Sequence, residues 1–363
     1  MADSPLLMPA SLGTLRLPNR VVMSPMTRCR AIGGVPNERM AEYYGQRAGA
    51  GLIVTEGVAP SPNALGYARI PGLFSEEQVE GWRLVTDAVH EGGGRIFAQL
   101  MHTGRVAHPA NMPEGARIVA PSAVPLEETE MWVDETMGTE PMPTAEEMSS
   151  ADIEEAIEEF VTAAENAIAA GFDGVELHGA NGYLIDQFLH PGTNRRSDEW
   201  CGDVAARCRF ALEVARRVVD AIGAERTGIR LSPYGVFNEI EIHDEIDATY
   251  RHLAEELGRM GIAYIHVVDH SAMGAPDFPA SIKAEMRDAF YGVFILSGGY
   301  DHARAAADLD AGRGDLVAFG RPFVANPDLV ERFARGAELA EPNPDLSYTA
   351  GPEGYTDYPA LEG

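Results

Sequence analysis

The sequence predicts an α/β fold in which parallel strands alternate with helices around one closed barrel. Eight short runs rich in β-branched and apolar residues recur along the 363 residues, and several are apolar throughout. Continuous apolar runs are typical of strands that are covered on both faces. Amphipathic helical patterns lie between these runs, and the alternation indicates a parallel sheet. Eight such units predict a single (β/α)8 TIM barrel that spans residues 1–363 as one domain.

The eight strands are placed on the sequence by their apolar runs. A small hairpin at residues 12–19 precedes them and is expected to cap the bottom of the barrel. The predicted strands, in order, are residues 20–24, 52–55, 96–100, 175–177, 228–232, 265–268, 293–296 and 316–319. Because the carboxyl ends of the strands carry the chemistry in such barrels, polar residues that follow these runs are candidate site residues.

Two helices are especially clear in the sequence. The first is expected to begin near Ser149, since apolar residues from 153 to 168 recur at helical spacing opposite an acidic face. Ser149 and Asp152 form a variant of the capping box, and Gly171 is expected to stop the helix. The second is expected at residues 204–222, directly before a glycine.

The connection after the third strand, residues 106–148, breaks this rhythm. It is rich in proline and glutamate and contains Met131 and Trp132. A loop of this length in a compact domain is usually functional or disordered. Its place after a barrel strand predicts a flap or lid over the mouth of the active site. A passive surface excursion is the alternative.

The net charge of the chain limits the classes of partner that it can bind. The formal net charge is −28 at pH 7, and Lys283 is the only lysine among 28 basic residues. This surplus of negative charge argues against nucleic acid and anionic membranes as partners.

The same acidic, lysine-poor composition is typical of halophilic proteins, because salt screens the self-repulsion of such a surface. An acidic protein from an arginine-preferring organism is the alternative. If the halophilic interpretation is right, the free energy of unfolding rises between dilute buffer and molar KCl. Denaturant titrations at both salt concentrations measure this, and an unchanged free energy would favour the alternative.

The sequence carries no evident targeting signal. It has no run of about 18 apolar residues, and residues 1–11 lack the basic start and apolar core of a signal peptide. Cys29, Cys201 and Cys208 are too few for a disulfide framework and lack the spacing of a zinc or iron–sulfur site. These features favour a cytoplasmic protein with reduced thiols and no bound metal. They do not distinguish a monomer from a homo-oligomer.

A donor-rich cluster follows the fourth predicted strand. The apolar run from Gly174 to Leu177 leads into His178, Asn181 and Tyr183. Imidazole, amide and phenol groups at a strand end can bind and protonate a polar substrate, so this cluster is the leading catalytic candidate.

Further motifs lie at the ends of other predicted strands. They are Ser24-Pro25-Met26-Thr27-Arg28, Gln99-Leu100-Met101-His102-Thr103-Gly104-Arg105, Gly228-Ile229-Arg230-Leu231-Ser232-Pro233, Ala318-Phe319-Gly320-Arg321-Pro322 and Gly354-Tyr355-Thr356-Asp357-Tyr358-Pro359. Together with residues 174–184, they resemble the Old Yellow Enzyme family of flavin-dependent ene-reductases along nearly the whole chain. With asparagine at position 181, the chain resembles the His/Asn subgroup of that family; other members have a second histidine at this position.

The resemblance implies a non-covalent FMN over the barrel mouth. Arg230 and Gln99 match residues at the pyrimidine edge of the flavin, where donors and cations raise its reduction potential. Thr27 matches the hydroxyl beside the reactive nitrogen. Residues matching backbone contacts to the ring are Pro25, Met26 and Gly57; those expected at the phosphate are Gly298, Gly299, Gly320 and Arg321.

The resemblance also implies the roles of the donor cluster. His178 and Asn181 match the pair that hydrogen-bonds the substrate carbonyl oxygen, and Tyr183 matches the proton donor to the α-carbon. Met101 stands where many relatives carry a tryptophan, which suggests a roomier pocket. Tyr67 and Tyr348 are candidate pocket walls.

The implied activity is that of an ene-reductase. NADPH or NADH reduces the flavin, and an α,β-unsaturated carbonyl or nitroalkene then enters the same site. No separate G-x-G-x-x-G dinucleotide unit is visible, which agrees with a nicotinamide that stacks on FMN in a shared pocket. Two alternatives are a reductase of nitrate esters or nitro compounds, using the same residues, and a flavin-binding barrel without turnover, which would be expected to have lost Tyr183 or His178.

Overall fold

The structure, a computed structural model, describes residues 4–361. Its centre is a closed barrel of eight parallel strands, which confirms the predicted (β/α)8 fold. The barrel strands are β3 (Val21–Met23), β4 (Leu52–Val58), β5 (Ile96–Leu100), β10 (Gly174–Gly179), β11 (Thr227–Leu231), β12 (Tyr264–Val268), β13 (Val293–Ser297) and β14 (Leu316–Phe319). They neighbour one another in chain order, and β14 closes the ring by pairing with β3.

Helices surround the barrel and follow its strands. They are α1 (Glu38–Gly45), α2 (Glu76–Glu91), α3 (Ser150–Ala169), α4 (Leu184–Leu189), α5 (Val204–Ile222), α6 (Ile246–Met260), α7 (Ala280–Ala289), α8 (His302–Asp310), α9 (Arg321–Ala325) and α10 (Leu329–Arg335). Their apolar faces bury against the outer faces of the strands in one continuous core. In the described range 4–361, no helix is long and apolar enough to cross a membrane.

The clearest helix predictions agree with the structure. Ser149 caps α3 and forms the expected capping box with Asp152, because each side chain bonds the backbone N–H of the other. The helix ends at Ala169, two residues before Gly171, whose φ of +92° is a conformation that favours glycine. Helix α5 has the predicted bounds.

Most strand boundaries moved by one to three residues. The third and eighth strands match the prediction, while β4 continues to Val58 with a register shift against β5. The fourth strand runs to Gly179, so His178 lies within β10 and not in the loop after it. The reason is that ladder hydrogen bonds to β11 continue past the apolar run, with His178 opposite Arg230.

The amino-terminal hairpin caps the barrel as expected. Strands β1 (Ala10–Leu12) and β2 (Leu15–Leu17) are antiparallel. Leu12 and Leu17 are buried in the same apolar cluster as interior barrel residues such as Leu52 and Phe97. One end of the barrel is therefore sealed by side chains, and the carboxyl end is left for a site.

Residues 106–148 contain regular structure. Strands β7 (Glu130–Asp134) and β8 (Gly138–Pro141) form an antiparallel hairpin, and β6 (Val119–Ala120) pairs with β9 (Glu146–Glu147). Met131 and Val133 of the hairpin are buried. We refer to residues 106–148 as the flap.

A late segment of the chain closes over the loop after β3. The guanidinium of Arg30 donates to carbonyl oxygens of residues 346–353, and that of Arg28 donates to the carbonyl oxygen of Gly354 at 2.7 Å. Tyr355 stacks on Tyr43 with ring centroids 4.0 Å apart. Both arginines are buried, so their charges are neutralised chiefly by backbone dipoles and aromatic faces.

Candidate active site

Three neighbouring strands bring the predicted polar residues to one end of the barrel. In the parallel register, His178 on β10 lies opposite Arg230 on β11, and Glu176 lies opposite Gln99 on β5. The side chains of these residues are buried, with at most 8% of each residue exposed. The register therefore explains how residues far apart in sequence meet at one edge.

Asn181 and Gly182 form a tight turn between β10 and α4. Their φ angles are +61° and +75°, so two successive residues occupy left-handed backbone. Hydrogen bonds hold the turn: the Asn181 N–H donates to the Ser232 hydroxyl at 2.9 Å, and the Gly182 N–H donates to the Asp186 carboxylate at 2.9 Å. The Asn238 amide donates to the Asn181 carbonyl at 2.7 Å. This turn aims the next residue, Tyr183, back over the strand end.

Tyr183 lies between two other aromatic groups. Its hydroxyl donates to the Tyr67 hydroxyl at 2.9 Å, and its ring meets the His178 ring edge-on with centroids 4.9 Å apart. The predicted imidazole and phenol therefore share one site, with Tyr67 beside them.

Burial sets the protonation of this pair. Burial, reinforced by the charge of Arg230, lowers the pKa of His178 well below its usual value. Burial raises the pKa of Tyr183, although its hydrogen bond to Tyr67 acts in the opposite direction. At neutral pH the imidazole is neutral and the phenol keeps its proton.

Several buried polar atoms at this edge lack a protein partner. Within residues 4–361, they include Nδ1 of His178, Oδ1 of Asn181 and Nε of Arg230. Buried polar groups in folded proteins are nearly always hydrogen-bonded. Three such atoms at one strand edge indicate that a polar ligand completes the site.

The residues expected around FMN come from the neighbouring strand ends. The Ser24 N–H donates to the Phe319 carbonyl at 3.0 Å, which brings residues 25–27 beside Gly320. A Cβ built on Gly320 would lie 3.5 Å from Sδ of Met26. Pro25, Met26 and Thr27 are half-buried at this edge.

The expected phosphate residues form a glycine-rich rim. Gly298 has a φ of +113°, and a Cβ there would lie 1.9 Å from the carbonyl oxygen of Asp269, so only glycine fits. Gly299 has a φ of +63°. Arg321 follows Gly320 and is exposed. These glycines and Arg321 follow two neighbouring strands, β13 and β14, and backbone amides together with a guanidinium suit a phosphate, so the donor set agrees with the group that the resemblance implies.

A close contact with another side chain explains why position 57 is a glycine. A Cβ at Gly57 would lie 2.5 Å from Sδ of Met101, which is 2% exposed. Met101 therefore fills the space beside Gly57. This contact explains the glycine without a ligand and leaves its expected flavin contact a prediction.

Tyr348 lies at the rim of the site. Half of this residue (52%) is exposed. Its carbonyl oxygen accepts a 2.8 Å hydrogen bond from Arg69, whose guanidinium also lies 5.0 Å from the ring of Trp132 in the flap. Whether Tyr348 contacts substrate stays a prediction.

Sequence reasoning missed four residues that support the site. Glu176 and His266 lie in the barrel interior, and Asn238 and Glu239 occupy the loop after β11. A charged residue inside an apolar strand run was the available signal for Glu176. Nothing in the sequence of the loop pointed to Asn238 or Glu239, whose partners are more than 50 residues away.

Comparisons with known proteins identify the family. The profile of the NADH:flavin oxidoreductase / NADH oxidase family matches residues 5–340. The chain belongs to this family. It is 41% identical over 361 residues to a probable flavin mononucleotide-dependent alkene reductase of Leishmania infantum, covering 98% of this chain and 97% of that protein.

Two solved structures are similar over the whole chain. Morphinone reductase in complex with tetrahydroNAD superposes with a TM-score of 0.94 at 45% identity, covering 99% of this chain and 98% of that one. The Old Yellow Enzyme homologue from Zymomonas mobilis superposes with a TM-score of 0.93 at 39% identity, covering 98% and 99% of the two chains. The expected family is thereby confirmed: the chain is an FMN-dependent NAD(P)H oxidoreductase of the ene-reductase type.

Proposed function

We propose that the site at the carboxyl ends of β5, β10 and β11 reduces the activated C=C bond of α,β-unsaturated carbonyls or nitroalkenes. The observation that carries this proposal is the juxtaposition of neutral His178 with protonated Tyr183, beside buried polar atoms that lack a partner among residues 4–361. The three residues proposed as catalytic are His178, Asn181 and Tyr183.

His178 and Asn181 bind the substrate oxygen in this proposal. A carbonyl or nitro oxygen gains negative charge as the β-carbon is reduced, and preformed donors in a buried site stabilise that charge. The Asn181 amide stays neutral at every pH, and the lowered pKa of His178 keeps its ring neutral as well. Neither donor therefore carries a charge that would bind anions indiscriminately.

Tyr183 supplies the proton to the α-carbon. Its raised pKa keeps the phenol protonated until substrate demands the proton. The Tyr67 hydroxyl, 2.9 Å away, can turn and donate to the resulting phenolate oxygen. Tyr67 and Met101 are proposed to line the substrate pocket, with Tyr348 at its rim.

FMN, when bound, supplies the hydride that adds to the β-carbon. Gln99 and Arg230 are proposed to hold its pyrimidine edge, where positive charge favours the reduced flavin. Thr27, Pro25, Met26 and Gly57 are proposed beside the ring. Backbone amides of Gly298, Gly299 and Gly320, with the Arg321 guanidinium, are proposed at the phosphate.

The reductant is proposed to enter the same pocket as the substrate. Morphinone reductase has been solved with tetrahydroNAD, and that chain superposes on this one over nearly its full length. A single pocket for nicotinamide and enone requires the two to alternate, so initial rates should follow ping-pong kinetics.

The proposed function is tested with the purified protein. We expect it to be yellow and to release FMN on denaturation. Stopped-flow mixing with NADPH and with NADH should bleach the flavin, and cyclic enones or nitroalkenes should restore its colour. Flavin that is reduced by a nicotinamide but is not reoxidised by any member of an enone and nitroalkene panel would contradict the proposal.

We further propose that the flap acts as a lid held at its base by Glu239. The Glu239 carboxylate accepts backbone N–H bonds from Glu127, Glu128 and Thr129 at 2.9, 2.9 and 2.8 Å. Burial opposes its charge, but these bonds dominate and lower the pKa of Glu239 to about 2. The Glu239 carboxylate is therefore ionised at neutral pH. At the tip, Arg69 pairs with Glu135 at 3.2 Å.

Glu239→Gln should loosen the flap. The amide keeps one acceptor oxygen and places an NH2 group against the flap N–H groups, and hydrogen bonds to a charged group are each worth about 1.5–3 kcal/mol. We expect cleavage after Glu127 or Glu128 by a glutamyl endopeptidase to rise about tenfold or more, since 1.4 kcal/mol is a factor of ten. The substitution should raise KM for bulky enones, and it should change kcat for small enones less.

Glu241→Gln is the matched control for this experiment. Glu241 is an exposed carboxylate two residues away that makes no hydrogen bond to the flap within residues 4–361. The control should leave the cleavage rate unchanged. Equal cleavage rates for Glu239→Gln and Glu241→Gln would contradict the proposal that Glu239 anchors the flap.

A further inference from the structure

Glu176 is a buried carboxylate in the interior of the barrel, below the proposed flavin site. It is 0% exposed and lies on β10, two residues before His178. Its Oε1 accepts a hydrogen bond from Nε2 of Gln99 at 2.8 Å, and its Oε2 lies 2.9 Å from Nδ1 of His266. The proposed mechanism makes no use of it, although a buried charge is costly unless it is well paired.

The surroundings of Glu176 favour its ionised form. The Gln99 NH2 group can only donate, so Oε1 accepts. Burial lowers the pKa of His266, so its ring is neutral and carries one proton. The Ser297 hydroxyl lies 3.0 Å from Nε2 and also donates to the Val267 carbonyl oxygen at 3.2 Å. Burial opposes the charge of Glu176, but His266, Arg230 and the Gln99 hydrogen bond outweigh burial and lower the pKa of this carboxyl group, so it is ionised at neutral pH.

This geometry also orients the Gln99 side chain. Because Nε2 is bonded to Glu176, the amide oxygen of Gln99 is turned the other way and remains free to accept. A flipped amide would set its oxygen 2.8 Å from a carboxylate oxygen, which is repulsive. The pyrimidine ring of a flavin carries an N–H group, and a free amide oxygen is its complement.

Arg230 is the cation that Glu176 opposes. Arg230 lies on β11 between His178 and His266 in the register, and no carboxylate lies within 4 Å of it among residues 4–361. Burial acts against its charge, and Glu176 gives the largest electrostatic support for it. The charges of Glu176 and Arg230 therefore attract each other across the barrel interior, without a direct salt bridge.

We infer that Glu176 is a positioning residue that sets the reduction potential of bound FMN, by orienting the Gln99 amide and by opposing the charge of Arg230. This inference rests on the proposed placement of Gln99 and Arg230 at the flavin. Without the carboxylate, the positive charge of Arg230 is less compensated and stabilises the reduced, more negative flavin more strongly.

The test is the reduction potential of FMN in Glu176→Gln holoenzyme, measured by equilibration with a redox dye. We expect the ratio of reduced to oxidised flavin to rise about tenfold over wild type, equivalent to about 30 mV for a two-electron couple. Titration of the apoprotein with FMN should show weaker binding as well, since the Gln99 amide can now flip. His266→Gln, which removes no charge, should shift the dye equilibrium less than threefold.

Glu176→Asp separates the two effects. It keeps the charge but withdraws the carboxylate from Gln99, so we expect a dye equilibrium within twofold of wild type and FMN binding weaker by threefold or more. If Glu176→Gln does not fold, this variant carries the test. Wild-type potential and wild-type FMN affinity in either variant would overturn the inference.

Arg230→Gln distinguishes this inference from the proposed function. It should shift the dye equilibrium toward oxidised flavin, because a cation near the flavin is lost. If Arg230→Gln shifts the potential but Glu176→Gln does not, the inference fails alone. If neither shifts it, the proposed placement of Arg230 at the flavin fails, and the inference with it.

Discussion

Tyr183→Phe is expected to slow reoxidation of the reduced enzyme by enones about 10²- to 10⁴-fold, the usual contribution of a positioned general acid. Reduction by NADPH or NADH should change only a few-fold, because hydride transfer from a nicotinamide to a flavin requires no proton from this phenol. The substitution removes one hydroxyl group, which is hydrogen-bonded to the Tyr67 hydroxyl, and leaves the ring in place, so the fold should persist.

Stopped-flow absorbance of the flavin measures both half-reactions separately. Tyr67→Phe is the matched comparison: it removes the partner hydroxyl but leaves the Tyr183 proton in place, so its effect on reoxidation should be smaller. Equal slowing of both half-reactions by Tyr183→Phe would indicate a role in ligand binding in place of proton donation.

His178→Ala is expected to weaken the binding of phenols about 10²-fold and to slow enone reduction by a similar or larger factor. A phenolate resembles the enolate-like oxygen, and a hydrogen bond to a charged group contributes about 1.5–3 kcal/mol. Spectral titration of the oxidised enzyme measures the dissociation constant. Asn181→Ala should weaken binding in the same direction, and His252→Ala, on α6 outside the site, should not.

The pH dependence of this binding follows from the buried state of His178. Burial and the charge of Arg230 lower its pKa, so the folded protein leaves it neutral where an unfolded histidine, with a pKa of about 6.5, takes up a proton. Phenolate affinity between pH 6 and 8 should therefore follow only the ionisation of the ligand. Since the unfolded chain binds more protons, this histidine also makes the protein less stable as pH falls below about 6.5.

The barrel was predictable because its strands are buried on both faces. Runs such as Leu316–Phe319 are apolar from end to end, and the third and eighth strands were located with their full bounds. The predicted fourth strand ended at Leu177 because the next residue, His178, is polar. Backbone hydrogen bonds do not depend on side-chain hydropathy, and they extend the strand to Gly179. The flap hairpin was missed because its second strand, β8, has the sequence Gly-Thr-Glu-Pro, which contains no apolar run and includes a glycine and a proline that are unusual in strands.

The site was only partly predictable, for reasons of distance along the chain. His178, Asn181 and Tyr183 lie within six residues, so one motif carries them. The Tyr67–Tyr183 hydrogen bond joins residues 116 apart, and the Glu239 carboxylate meets backbone groups more than 100 residues earlier. Such contacts depend on how loops fold over a finished barrel, and neither spacing nor composition encodes them.

The clamp of Arg28 and Arg30 on residues 346–354 has a consequence for biosynthesis. These bonds join groups more than 310 residues apart, and they fasten the loop that carries Thr27. At the usual 5–20 residues per second, a ribosome takes on the order of tens of seconds to make the intervening chain. The Thr27 side of the pocket is therefore fastened only after residues 346–354 have been made and have left the ribosome, so we expect the nascent enzyme to bind its flavin after that step.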